Sequence, residues 1–247
     1  MLIKACLNGG RTRDEHPYVP QTPDELAAEA VAAVHAGAGA VHLHPRDPSG
    51  AETLDAYAVL AAVAAVRAAV PATPVGVTTG LWIAGGDPAR RIAQVTRWTG
   101  NGKPDFASIN LSEPGADELA GLLGELGVAI EAGIWSVADA DQLAASQFGS
   151  RVLRILIEPH DGVAEVAVAV AANIEAALNG HGLVAPRLHH GYGPATWPVL
   201  RAAIRLGRDI RVGLEDTTVL ADGRVASGNG ELVEAAVRLV DELRHSS

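Results

Sequence analysis

The stretch Ala40-Val41-His42-Leu43-His44-Pro45-Arg46-Asp47 reads as the end of a buried strand that runs straight into a charged loop. Side chains alternate along a strand, so His42 and His44 point to one side and Val41 and Leu43 to the other. Two imidazoles on one face can share a metal. Before this stretch, the apolar run Leu2 to Leu7 is a strand stopped by the turn residues Asn8-Gly9-Gly10. A polar loop, Arg11 to Gln21, follows. Thr22-Pro23-Asp24-Glu25 then supplies an N-cap residue, a proline at the first helical position and acid in the first turn, which predicts a helix to His35 that stops at Gly37.

The same strand-loop-helix unit repeats beyond the stretch. The sequence predicts strands at Gly39 to His44, Pro74 to Thr79, Asp105 to Asn110, Val128 to Ile134, Val152 to Ile157, Leu183 to His189 and Ile210 to Leu214. Helices are expected at Leu54 to Val70, Asp87 to Trp98, Ala116 to Leu126, Ala138 to Gln147, Val163 to Leu178, Pro194 to Leu206 and Glu231 to Leu243. With the first unit, this gives eight strands alternating with eight helices. Regular alternation implies a parallel sheet, because each right-handed crossover needs a helix to return the chain. Eight units in 247 residues fit a (β/α)8 TIM barrel. The alternative, a doubly wound sheet, calls for G-x-G-x-x-G after the first strand, and Leu7-Asn8-Gly9-Gly10-Arg11 does not provide it. No linker-like or low-complexity segment divides the chain, so residues 1–247 are read as one domain.

Composition narrows the function. The hydrophobic content is 48% and the net charge −10, with no clustered basic face, which argues against a nucleic-acid partner or an anionic membrane surface. The lone cysteine, Cys6, excludes a disulfide framework and a thiolate zinc cluster, so a metal must be held by nitrogen and oxygen. No signal peptide or long apolar span is evident, and a cytoplasmic location is expected. G-x-S-x-G is absent, and Cys6 has no activating base nearby in the sequence.

A barrel of this kind carries its working residues at the C-terminal ends of its strands. That rule selects Asn8, Arg11, His42, His44, Arg46, Asp47, Thr78, Thr79, Asn110, Glu113, Glu131, Glu158, His160, His189, His190, Glu215 and Asp216. In the last strand, Arg211, Gly213 and Glu215 share a face by the period of two. Two imidazoles and a carboxylate, His42, His44 and Glu215, make a catalytic set for Zn²⁺ with a position left open; Fe(II) or Mn²⁺ suits it as well. Asp216, beside that site and an arginine, is a candidate general base. Thr78 and Thr79 can donate hydrogen bonds to a substrate carboxylate or oxyanion, and His189 with His190 offers a second polar group.

These residues resemble a known family. Asn8-Gly9-Gly10, Pro17-Tyr18-Val19-Pro20-Gln21-Thr22-Pro23-Asp24-Glu25, Ala36-Gly37-Ala38, Val41-His42-Leu43-His44-Pro45-Arg46-Asp47, Thr78-Thr79-Gly80 and Arg211-Val212-Gly213-Leu214-Glu215-Asp216 are similar to motifs of the β-keto acid cleavage enzymes. The resemblance implies a zinc-dependent TIM barrel in which a small β-keto acid and acetyl-CoA yield acetoacetate and a new acyl-CoA. It implies His42, His44 and Glu215 as zinc ligands, Asp216 and Arg211 as an acid/base pair, and Thr78 near the substrate. Arg11, Thr79, Asn110, Glu131 and His189 are the expected substrate-binding residues. Arg11 departs from the family, which commonly has an acidic residue there, and this leaves two expectations: Arg11 meets an anionic substrate tail, or Asp14 or Glu15 swings in to supply the acid. A homo-oligomer is expected, as is usual for such barrels. Two alternatives stand beside this reading: a metal-dependent carbon–carbon lyase or aldolase of the same barrel without CoA, and a non-catalytic carboxylate-binding barrel.

Overall fold

The computed structural model describes residues 1–245. Its strands are β1 (Ile3–Cys6), β2 (Ala40–Leu43), β3 (Val75–Val77), β4 (Phe106–Asn110), β5 (Ala129–Ile134), β6 (Arg154–Ile157), β7 (Arg187–His189) and β8 (Asp209–Val212). Each pairs in parallel with the next, and β8 pairs with β1, so the sheet closes into a barrel in chain order. The returning helices are α1 (Pro23–His35), α2 (Ala56–Ala69), α3 (Pro88–Val95), α4 (Ala116–Leu126), α5 (Val137–Ala145), α6 (Ala164–Gly180), α7 (Thr196–Arg205) and α8 (Asn229–His245). This is the (β/α)8 barrel that the alternation implies. No helix among the described residues is long and apolar enough to cross a membrane.

Side-chain alternation divides the barrel into two environments. Val41, Leu43, Val75, Val77, Ala107, Ile109, Ile155, Ile157, Ile210 and Val212 belong to the large apolar cluster that also takes in buried faces of the helices. Burying a side chain of this size contributes roughly 1.5–3 kcal/mol, so this outer layer holds the fold together. The intervening residues point inward and are largely polar. Lys4 on β1 bonds Glu131 on β5 across the interior, and Arg154 bonds the other carboxylate oxygen at 3.1 Å. The Phe106 ring packs under both cations, 5.7 Å from Lys4 Nζ and 5.2 Å from Arg154 Cζ.

β1, β2, β3 and β8 end earlier than the sequence predicts and β7 begins later, while β4 to β7 end where expected; hydrogen bonding accounts for the differences at β2, β7 and β8. His44 leaves the β2 ladder because its N–H donates to Asn8 Oδ1 at 2.9 Å. Before β7, Leu183 N–H donates back to Leu178 O, so residues 183–186 finish the turn after α6 rather than begin the strand. β8 stops at Val212 because a turn follows, in which the N–H groups of Asp216 and Thr217 donate to Gly213 O. A Cβ at Gly213 would lie 2.0 Å from Cys6 O, so only glycine lets the chain turn against β1. Asn229 fastens the same corner: its Oδ1 accepts from Leu214 N–H at 2.9 Å and its Nδ2 donates to Leu7 O at 3.0 Å. That use of Asn229 starts α8 two residues before the expected Glu231.

Candidate metal centre and active site

His42 and His44 face the barrel mouth from the end of β2, and Glu215 reaches them from the turn after β8. His42 Nε2 lies 3.9 Å from Glu215 Oε2, and His44 Nε2 lies 3.5 Å from Glu215 Oε1. One potential ligand atom from each of the three residues falls within 4.8 Å of the others. Glu52 accepts from His44 Nδ1, which fixes the ring so that Nε2 faces Glu215. Glu52 also accepts from Trp82 Nε1 at 3.0 Å.

The electrostatics suit a cation. Burial disfavours a proton on His42 and holds its pKa well below the usual imidazole value. Burial acts the same way on His44, but the Glu215 and Glu52 carboxylates outweigh it and raise its pKa to about 9. Burial opposes ionisation of Glu215, yet Arg211 and His44 keep its pKa well below the ordinary carboxylate range. Glu215 Oε2 is nevertheless buried with no hydrogen-bond partner. Leaving such an acceptor unpaired costs about 1–3 kcal/mol or more. A divalent cation between the two Nε2 atoms and this oxygen would remove the deficit, taking the place of the proton on His44.

Arg211 organises the carboxylates behind the triad. It donates to Glu215 Oε1 and, at 2.7 Å, to Asp216 Oδ1. Consecutive residues of a strand could not both meet one arginine; the turn after Val212 brings Glu215 and Asp216 to the same side. His190, on the inward side after β7, donates from Nε2 to Glu158 Oε2 at 3.0 Å. Its Nδ1 lies 3.2 Å from Asp216 Oδ1 without hydrogen-bond alignment. Burial and Arg211 oppose its protonation, but Asp216 and Glu158 outweigh them and raise its pKa. Burial works against ionisation of Asp216 and Glu158 too; Arg211 and His190 at Asp216, and chiefly His190 at Glu158, keep both below the ordinary range.

These groups surround a cavity of about 230 Å³ lined by His42, His44, Thr78, Trp82, Ser108, Asn110, Trp135, Leu156, Glu158, His160, Tyr192, Arg211 and Glu215. Asp216 is fully buried behind Arg211 rather than on the wall. Thr78 Oγ1 accepts from Gly80 N–H at 3.1 Å, which leaves its hydroxyl hydrogen for the cavity. A larger groove, about 830 Å³, runs on the outer surface along α4, away from the triad.

Other expected site residues have different surroundings. Glu131 lies deeper in the barrel, committed to Lys4 and Arg154. His189 points outward and contacts Glu175 of α6 at 2.9 Å; the inward residue is His190. Thr79 donates to Ser108 O, and Arg11 contacts Glu215 O at 3.3 Å and Glu15 at 3.0 Å without lining the cavity. Asn110 does line it. Glu52, Trp82, Trp135 and Tyr192 were not selected from the sequence. Glu52 had a usable signal: Asp47-Pro48-Ser49-Gly50 is turn chemistry, and the chain folds back there to pair Arg46 with Glu52.

A model of the beta-keto acid cleavage enzyme family matches residues 1–246. The chain belongs to the beta-keto acid cleavage enzyme family. Within this family, it is 28% identical to a 3-keto-5-aminohexanoate cleavage enzyme of Fusobacterium nucleatum, over 98% of this chain and 92% of the relative. It is 26% identical to the enzyme of the same name from Acetoanaerobium sticklandii, over the same shares. Among solved structures, apo ObcA superposes with a TM-score of 0.73 at 21% identity, a likeness of fold that covers 93% of this chain. This chain spans about 62% of the ObcA chain.

Proposed function

We propose that the protein is a zinc-dependent β-keto acid cleavage enzyme in which a small β-keto acid and acetyl-CoA give acetoacetate and a new acyl-CoA. Supporting this reading are the family membership and the names of the relatives. The observation that carries the metal is the buried, unpaired Glu215 Oε2 facing two imidazoles. His42, His44 and Glu215 would hold the zinc, which when bound would supply Lewis acidity to a β-keto acid.

The chain's own groups do the rest. Arg211, on the cavity wall, meets the substrate carboxylate. That contact draws Arg211 away from Asp216 Oδ1, which takes a proton from the carbon between the two carbonyl groups and later returns it to acetoacetate. Against the effect of burial, Arg211 and then His190, whose Nδ1 lies 3.2 Å from Oδ1, keep Asp216 ionised before substrate arrives. Thr78 donates its hydroxyl hydrogen to oxygen charge that develops in the cavity. Burial of the pair excludes water from the proton transfer.

The test is to load the purified protein with zinc, incubate it with a panel of β-keto acids with and without acetyl-CoA, and measure acetoacetate. Acetoacetate that requires acetyl-CoA and disappears in Glu215→Gln is the expected result. Carbon–carbon cleavage without the thioester would favour the lyase alternative, and no turnover across the panel would refute the proposal.

A further inference from the structure

The cavity wall carries a hydroxyl group without a partner. Tyr192 lies in the loop after β7 and lines the cavity. Its ring stands edge-on to two imidazoles, with centroids 5.2 Å from that of His190 and 5.3 Å from that of His160. The loop that bears it is tied to the turn after β8: Gly193 N–H donates to Asp216 O at 2.8 Å, and Thr196 Oγ1 donates to Gly191 O at 3.0 Å. Ring and backbone are therefore both fixed beside the Asp216 turn. The Tyr192 hydroxyl makes no hydrogen bond among the described residues, and the charges that act on it are those of Arg211, Glu158, Glu215 and Asp216, in and behind the cavity wall. Burial pushes the phenol pKa well above its ordinary value, and the three carboxylates add to the rise against Arg211, so the oxygen keeps its proton and is a donor.

A fixed donor beside a nucleophilic carbon has a use in acyl transfer. Once Asp216 has taken its proton, the carbon between the two carbonyl groups forms a bond to the carbonyl carbon of the acetyl thioester. The π pair of that carbonyl moves onto its oxygen, which becomes an oxyanion. The pair returns as the carbon–sulfur bond breaks and CoA leaves as a thiolate. A preorganised neutral donor binds this oxygen far more strongly once it is charged than before, which lowers the barrier. In the closed strand order β7 lies on the other side of β8 from β2, so Tyr192 and the two imidazoles flank the Asp216 turn. The acid end of the substrate lies toward the imidazoles and Arg211, which leaves the Tyr192 side for the incoming thioester. Trp135 Nε1 is likewise unpaired, but Trp135 follows β5, three strands from β8. Resting on the acyl-transfer reading, we propose that Tyr192 is a further catalytic residue, whose hydroxyl donates to the thioester carbonyl oxygen as that oxygen gains charge.

Tyr192→Phe removes the oxygen and keeps the ring beside His160 and His190. Two rates are read in zinc-loaded parent and variant, with straight-chain β-keto acids from 3-oxopentanoate to 3-oxooctanoate. The first is exchange of the hydrogens between the two carbonyl groups with heavy water, followed by NMR without acetyl-CoA and corrected for the protein-free rate. It reports proton removal by Asp216 alone. The second is acetoacetate release with acetyl-CoA, which reports the whole transfer. The expected result is a kcat for acetoacetate release lower by roughly 10²–10³-fold in Tyr192→Phe, with exchange kept within about twofold of the parent. The ratio of the two rates does not depend on the folded fraction, because unfolding or loss of zinc lowers both alike. A kcat within about threefold of the parent would overturn the proposal. So would a loss of exchange equal to the loss of transfer, which would tie Tyr192 to proton removal or to the integrity of the site. Exchange without acetoacetate in the parent would refute the acyl-transfer reading and this role with it. An active parent matched by Tyr192→Phe would refute the role alone.

Discussion

The barrel interior holds two clusters of buried charge, one above the other, and they are built on opposite plans. At the floor, Lys4, Glu131 and Arg154 satisfy one another around the Phe106 ring, and none of their side-chain nitrogen or oxygen atoms is among the buried unpaired ones. At the mouth, His42 Nδ1, Glu158 Oε1, Glu215 Oε2 and Trp135 Nε1 are buried without partners around a cavity. Burial of charge is common to both, so burial does not mark the site. What marks it is incompletely met hydrogen bonding beside open space, a deficit that a fold retains where a ligand will make it good.

The contrast can be broken at either end. Replacing His42 by Ala should have the largest effect: zinc content falls to less than about 0.2 per chain by elemental analysis, with acetoacetate formation abolished. Retained stoichiometric zinc in that variant would remove His42 from the ligand set. Asp216→Asn comes next. Loss of a general base lowers kcat by roughly 10²–10⁴-fold, while zinc stoichiometry stays that of the parent. At the floor the readout changes from rate to stability. Glu131→Gln strands Lys4 among buried groups, and breaking such a pair costs about 3–5 kcal/mol. For a chain of this size, that corresponds to a Tm lower by on the order of 10 °C, with kcat of the folded fraction unchanged. A kcat loss without a Tm change would move Glu131 into the active site.

The smallest effect concerns a third closed cluster, outside the barrel, where Glu175 meets His189, Arg187 and Arg208. Burial opposes ionisation of Glu175, but those three partners lower its pKa from the ordinary 4.5 to about 2. A carboxylate with a depressed folded-state pKa contributes stability that is fully present above its unfolded pKa and lost as pH falls through the folded one. Glu175→Gln should therefore unfold at lower urea than the parent above pH 4.5, with the gap closing as pH approaches 2. A gap that widens on acidification would contradict this assignment.

Much of this architecture was legible in the sequence because it rests on periodicity. The period of two put His42 and His44 together, and the repeated strand-helix unit gave the barrel. Three particulars were not legible, each for a local reason. Which of His189 and His190 faces inward depends on the register of β7, and Arg187-Leu188-His189-His190 has too little apolar contrast to fix it. Glu131 was selected as a strand-end residue although β5 continues to Ile134, which leaves it at the level of Arg154. In the last unit, extending the strand to Leu214 placed Glu215 correctly but for the wrong reason. The turn at Gly213, which forms against the Cys6 backbone, presents Glu215 and Asp216 to Arg211 together.

The bond from Asn229 to Leu7 spans 222 residues, and it closes the same seam that joins Glu215 to His42 and His44. Ribosomes add roughly 5–20 residues per second, so the histidines leave the tunnel many seconds before their carboxylate partner exists. During that interval β1 has no β8 beside it, and its edge is open to pairing with other chains. The cell thus makes the two halves of the candidate metal site at opposite ends of translation, and His42, His44 and Glu215 can meet only after the last strand has been delivered.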